Sequence, residues 1–147
     1  MDLILWRHAD AEDGIPDDGR RLTAKGEKQA RRVAKWLAQH LPADARVLVS
    51  PAKRAQQTAK ALSKDFETCP EVGTATVPAA LLKAAGWPDR DGTVLVVGHQ
   101  PVIGQTVAIL LTGEAREWAF KKGAIWWLSS RERGEVVVRA VIAPDLL

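Results

Sequence analysis

Three short, uninterrupted apolar runs constrain this chain more than any other feature: Leu3-Ile4-Leu5-Trp6, Val47-Leu48-Val49 and Val94-Leu95-Val96-Val97. Runs of this length without polar alternation suit strands buried on both faces, as in a parallel sheet covered by helices. Each run stops at side chains suited to phosphate chemistry. The first ends in Arg7-His8, the second in Ser50-Pro51 with Arg54 one helical turn later, and the third in Gly98-His99.

Between the runs the periodicity becomes helical. Thr23 reads as the cap of a helix reaching about Leu41, with Ala30, Val33, Leu37 and Leu41 on one face. Ser50 is expected to cap a second helix, with Pro51 at its first position and Ala52, Ala55, Ala59 and Leu62 facing inward. A weak strand is predicted over 74–77, then a short helix over 79–85 that Gly86 closes. Pro101 opens a further helix, carried by Val102, Ile103, Val107, Leu110 and Leu111 and stopped by Gly113. Segments 123–130 and 135–142 alternate around Glu132-Arg133-Gly134, which predicts an antiparallel hairpin. The fold class is therefore α/β: a three-layer α/β/α sandwich around a mostly parallel, mixed sheet of about six strands, ending in that hairpin. Such sheets bind ligands beyond the carboxyl ends of their strands, where all three motifs lie.

A chain of 147 residues, 46% hydrophobic and 27% charged, is expected to form one domain over residues 1–147 and to bury about 70% of its unfolded surface. No window approaches the ~20 apolar residues of a membrane span, and Arg7, His8 and Asp10 interrupt the first apolar run too soon for a signal peptide. The single cysteine, Cys69, excludes an intrachain disulfide and a thiolate metal cluster, and reads as a free thiol beside a turn at Pro70. These features predict a cytoplasmic protein. A net charge of +3, spread among interspersed acids, is too mild for a nucleic-acid arm. No nucleic-acid or membrane partner is expected, and a monomer is the simplest state.

Taken singly, an Arg-His after a strand is most often a polar terminus, and a Gly-His-Gln-Pro is most often a capped turn. Three such sites at aligned strand ends favour phosphoryl transfer. Helix first turns offer unpaired N–H groups to an anion, and arginine forks match phosphate oxygens. Arg7 and Arg54 would hold a phosphoryl group, with Arg20 from the polar loop 8–21 able to reach the same pocket. A neutral imidazole can attack phosphorus when one ring nitrogen is free and the other is hydrogen-bonded. Alternatives fare worse. There is no HExxH or CxxC spacing among His8, His40 and His99, no P-loop, and no GxSxG around Ser50, for which capping is role enough. His40 reads as a solvated residue at a helix end.

The residues resemble the histidine phosphatase superfamily, also called phosphoglycerate mutase-like. The resemblance rests on LWRHADAE at 5–12, Arg20 before Leu22-Thr23 with Gly26 and Gln29-Ala30, SPAKRAQQTA at 50–59, and VVGHQP at 96–101. The small size and these motifs together are most similar to short SixA-type phosphohistidine phosphatases. The resemblance implies that His8 is the phosphorylated nucleophile, that Arg7, Arg54 and His99 surround the phosphoryl group, and that Arg20 is a further phosphate-side contact. It also implies hydrolysis of the intermediate by water with no metal or organic cofactor. Two departures stand out. The usual RHG is RHA here. And no acid among Asp65, Glu67, Glu71, Asp89 and Asp91 stands in the context of the glutamate that serves many members as proton donor. A phosphoramidate nitrogen is protonated more easily than an alkoxide, so this favours phosphohistidine, on a protein or a small molecule, over phosphate esters. A small phosphate-ester phosphatase is the runner-up, and a non-catalytic phospho-ligand binding module is disfavoured because all four central residues are present.

Two further features stand outside the motifs. Lys25, Lys28, Arg32 and Lys35 form a basic stripe opposite the apolar face of their helix; a solvated face is the preferred reading, and docking of an acidic phosphorylated partner is the sharper one. Trp126 and Trp127 are adjacent on a strand and must face opposite ways. The outward-facing member is a candidate contact surface.

Overall fold

The computed structural model describes residues 1–147. Its sheet contains β1 (Asp2–Arg7), β2 (Arg46–Val49), β3 (Glu67–Thr68), β4 (Thr93–Gly98), β5 (Ile125–Ser130) and β6 (Val136–Ile142), in the order β3-β2-β4-β1-β5-β6. Strands β3, β2, β4 and β1 run parallel, and β5 and β6 add the antiparallel edge. Four helices cover the two faces: α1 (Ala24–His40), α2 (Lys53–Lys60), α3 (Pro78–Ala85) and α4 (Val102–Thr112).

The apolar runs are continuous because both faces are buried. Leu3, Leu5, Val94 and Val96 point to one side, where Leu81 of α3 and Ile103 and Val107 of α4 meet them. Ile4, Trp6, Leu95 and Val97 point to the other, against Val33 and Leu37 of α1 and Ala55 and Ala59 of α2. Burial of a side chain of this size contributes about 1.5–3 kcal/mol. Thr23 caps α1, its hydroxyl accepting from the Gly26 N–H at 3.0 Å. The left-handed Gly86 and Gly113 close α3 and α4. No helix is long and apolar enough to cross a membrane.

Three expectations need correction. Ser50 does not cap α2, and Pro51 is not its first residue: the helix starts at Lys53 after an extended Ala52. The Ser50 hydroxyl accepts from the Ala52 N–H at 3.2 Å, a local turn that competes with helix entry. The edge strand lies at Glu67–Thr68, where Cys69 N donates to Val49 O at 2.8 Å, whereas 74–75 form a turn after Gly73. Finally, neither tryptophan of the 126/127 pair faces open solvent. Trp127 is buried against Trp36, and Trp126 is half-buried against Trp118 and Phe120. Helices or loops cover both sheet faces even at β5, so the pair offers no outward contact surface.

Candidate active site

Strand register brings the motifs together. Arg7 pairs with Gly98 and Val49 with Val97, so the next residues of all three strands, His8, His99 and Ser50, leave the sheet side by side. His8 N donates to Gly98 O and Ser50 N to Val97 O, extending the ladders one step past the strands. The His8 and His99 ring centroids lie 5.2 Å apart. Arg54 arrives from the first turn of α2 and is buried. Arg20 enters from the polar loop, just after a single 3-10 turn at Asp17–Gly19. A cleft of about 320 Å³ is lined by Arg7, His8, Arg20, Arg54 and His99 together with Asp17, Thr74, Gln100, Ala11 and Lys122. All five expected site residues thus line one cavity.

The loop after β1 is pinned from two helices. Ala9 N donates to Thr58 Oγ1 of α2 at 3.0 Å, and Asp10 N donates to Gln29 Oε1 of α1 at 2.9 Å. Gly26 makes this approach possible, because a Cβ there would stand 2.0 Å from Asp10 O. The Gly26 and Gln29 matched in the sequence therefore have a mechanical role. They press α1 onto the loop that carries His8.

His8 Nδ1 lies 2.7 Å from its neighbour's carbonyl, Ala9 O. A carbonyl only accepts, so Nδ1 carries the proton and Nε2 keeps its lone pair with no hydrogen bond competing for it. Burial, followed by the charges of Arg54, Arg7 and Arg20, pushes the His8 pKa down from 6.5 to about 4, against a partial rise from the Ala9 carbonyl. His99 falls to about 3, again chiefly through burial, then through His8 and Arg54. Both rings are neutral at pH 7. The His99 Nε2 meets Ser50 Oγ at 2.7 Å. Ser50 already accepts from Ala52, so its own proton is available to His99, whose N–H is then Nδ1.

Three buried polar atoms have no partner: Arg7 Nε, Arg54 Nε and His99 Nδ1. All belong to residues lining the cleft, and each such orphan costs about 1–3 kcal/mol. Bound anion oxygens are the natural acceptors for such donors. The cleft's one carboxylate is Asp17, whose backbone carbonyl and carboxylate accept from Arg54 at 2.8 and 3.0 Å and whose carboxylate also accepts from Arg20 at 3.1 Å. The arginine bonds hold its pKa below the usual range, first that of Arg20, then that of Arg54. Asp17 thus sits ionised where an anionic ligand would sit, and is a poor proton donor. No side chains of three His, Cys, Asp or Glu residues cluster as a metal site.

Sequence reasoning missed Asp17, Ser50, Gln100, Thr74 and Lys122. Ser50 carried a signal, since it is the first residue past a buried strand. Lys122 carried none, because it reaches the cleft from 112 residues beyond Asp10, with which it pairs at 2.8 Å.

The model of the histidine phosphatase superfamily (branch 1) matches residues 3–75. Phosphohistidine phosphatase SixA of Escherichia coli K12 is 36% identical over 126 residues, spanning 78% of this chain and 76% of that protein. The chain belongs to the histidine phosphatase superfamily. It is a phosphatase. A SixA homologue of Haemophilus influenzae is 33% identical over 130 residues, covering 75% of this chain and 77% of its own. A solved structure of the protein histidine phosphatase SixA with tungstate superposes with a TM-score of 0.81 at 30% identity, over 99% of each chain. The superfamily likeness thus extends through the C-terminal hairpin, for which the sequence offered no signature.

Proposed function

We propose that residues 1–147 act as one histidine phosphatase domain that hydrolyses phosphohistidine, on a protein or in a small phosphoramidate, through a phosphoryl-enzyme intermediate on His8. The observation that carries this reading is the His8 ring: Nδ1 is fixed on Ala9 O, and Nε2 is unbonded, neutral and surrounded by Arg7, Arg54 and His99. The SixA relatives, one of them solved with tungstate, a tetrahedral oxyanion, support the same reading.

In the first step the Nε2 lone pair forms the new P–N bond as the substrate's P–N bond breaks. The departing imidazole takes its electron pair together with a proton already carried on the substrate ring or supplied by water. Arg7, Arg54 and the His99 N–H hold the equatorial oxygens, and one such preorganised donor is worth about 2.7–4 kcal/mol of barrier. The developing charge replaces Asp17 on the arginines. In the second step water attacks phosphorus, the P–Nε2 bond breaks, phosphate leaves and His8 recovers its lone pair. The charge that a metal would supply is already present as arginine, so activity should survive a chelator. The cleft's one carboxylate, Asp17, is held ionised by arginines, which supports phosphohistidine over an alkyl ester, whose alkoxide needs a proton donor. The free thiol of Cys69 fits a cytoplasmic setting.

Trapping the phosphoenzyme tests this reading. Quenched reaction with labelled phosphoramidate should give an acid-labile, base-stable adduct that His8→Ala removes; label persisting in that variant removes His8 as nucleophile. Faster turnover of p-nitrophenyl phosphate than of phosphohistidine would overturn the substrate class.

A further inference from the structure

Beside the cleft runs a second, larger cavity of about 530 Å³, and it is walled by cations. Lys25, Lys28 and Arg32 line it from α1, Lys121 and Lys122 from the segment before β5, and the lone carboxylate is Asp145 of the last 3-10 turn, Pro144–Leu146. Three of the four members of the solvated basic stripe of α1 form one wall of this crevice, and Lys35 lies outside it. Asp145 engages Lys121 at 3.1 Å and Asp10 engages Lys122 at 2.8 Å. Lys25, Lys28 and Arg32 have no carboxylate within 4.0 Å.

Two relations tie this crevice to the chemistry. Lys122 lines both cavities, so the two adjoin at that side chain. Next to it the left-handed Gly123 donates its N–H to His8 O at 3.1 Å, tying the segment that carries Lys121 and Lys122 to the nucleophile's backbone. The row Lys25, Lys28, Arg32 spans seven residues of helix, about 10 Å. That is too long for one phosphate and matches several carboxylates along a peptide. The cations are exposed and spread out, unlike the converging buried donors of a small-anion site. Any occupant must also present, at its end nearest Lys122, the phosphoryl group that enters the cleft.

We propose that this crevice docks an acidic polypeptide segment of a histidine-phosphorylated protein, with the phosphohistidine reaching the cleft past Lys122. The proposal rests on the phosphohistidine reading above and adds the kind of protein that carries the group. Exposed cations act through steering and salt-sensitive contact, so the crevice sets which substrate arrives without altering the chemistry.

The test uses the full chain, a Lys28→Glu/Arg32→Glu variant, and an Arg31→Glu/Lys35→Glu variant of equal net charge whose changes lie outside the crevice. Substrates are phosphoramidate and two histidine-phosphorylated peptides of equal length, flanked by glutamates or by glutamines. At low salt the wild type should favour the glutamate-flanked peptide by roughly tenfold or more in kcat/KM. The crevice variant should lose that preference, the control variant should keep most of it, and all three should turn over phosphoramidate alike. Equal loss in both variants, equal loss on phosphoramidate, or no preference in the wild type overturns the proposal. Anisotropy with an unphosphorylated glutamate-rich peptide keeps it testable if phosphohistidine proves not to be the substrate, because binding then needs no catalysis: loss of binding only in the crevice variant supports docking. Tighter Lys28- and Arg32-dependent binding of a single-stranded oligonucleotide or of anionic lipid vesicles would overturn it in favour of those partners.

Discussion

The cleft and the crevice are both basic, share Lys122 and lie a few residues apart, yet they hold charge in opposite ways. In the cleft Arg54 and His99 are 5% and 3% exposed, backed by strand ends and helix first turns. Burial there forces both imidazoles to stay neutral and leaves arginine donors waiting for an acceptor. In the crevice Lys25, Lys28 and Arg32 stand in water, where charge is screened and each contact is weak. Buried charge makes chemistry, and exposed charge makes an address. The same kind of side chain does both, and its surroundings decide which.

The strongest way to break this contrast is to remove one arginine from each region. Arg54→Ala should cut turnover of phosphoramidate by about 10²–10³, as expected for the loss of one preorganised donor, while Arg32→Ala should change it less than about twofold. Comparable losses would erase the distinction.

The next effect concerns protons. Both cleft histidines have pKa values, about 4 and about 3, below the 6.5 of an unperturbed imidazole. Between those limits the unfolded chain binds more protons than the folded one. Stability is therefore fully present above about pH 6.5, falls as pH drops toward 4, and this contribution levels off below about 3. The loss is on the order of a few kcal/mol for each ring. Urea denaturation of the wild type and of His8→Gln across this range should show a shallower slope in the variant; identical slopes would mean that His8 titrates normally.

A smaller effect tests α1, the helix that serves both regions. Gly26→Ala should cost roughly 1–3 kcal/mol by forcing the Asp10 backbone aside, with an accompanying drop in phosphoramidate turnover. Lys28→Ala, on the crevice side of the same helix, should leave both unchanged. The smallest effect belongs to Asp17. Asp17→Asn removes the charge that competes for Arg20 and Arg54, so phosphate should inhibit about two- to fivefold more tightly, as suits pairs whose carboxylate is exposed. Weaker inhibition would show that Asp17 organises the arginines for the anion.

The parts of the molecule legible in its sequence were those set by local pattern. Continuous apolar runs gave the strands, Thr23 and Gly113 marked helix ends, and the polar residues just past the runs named His8, His99 and both arginines near them. The parts that stayed hidden depend on partners far along the chain. Ser50 looked like an ordinary cap because the partner that diverts its proton, His99, is 49 residues away. The segment 74–77 has strand-like residues, but the backbone bond that forms the edge strand goes to Cys69. Trp126 looked free to face outward because only the fold turns the preceding loop, with Trp118 and Phe120, back over it. Asp17 sat unnoticed in an acidic loop, since only tertiary contact gives it Arg54. The crevice is the extreme case. Its α1 wall was visible as a stripe, but Lys121, Lys122 and Asp145 join it only through the fold.

The place of β1 in the sheet bears on how this chain is made. The strand that leads to His8 is central, paired on one side with 93–98 and on the other with 125–130. Both hydrogen-bonding neighbours come from much later in the chain, so β1 cannot complete its two ladders until about residue 130 has left the ribosome. Such distant pairing slows folding. It also means that the strand leading to His8 gains its second hydrogen-bonding partner only after most of the chain has been made.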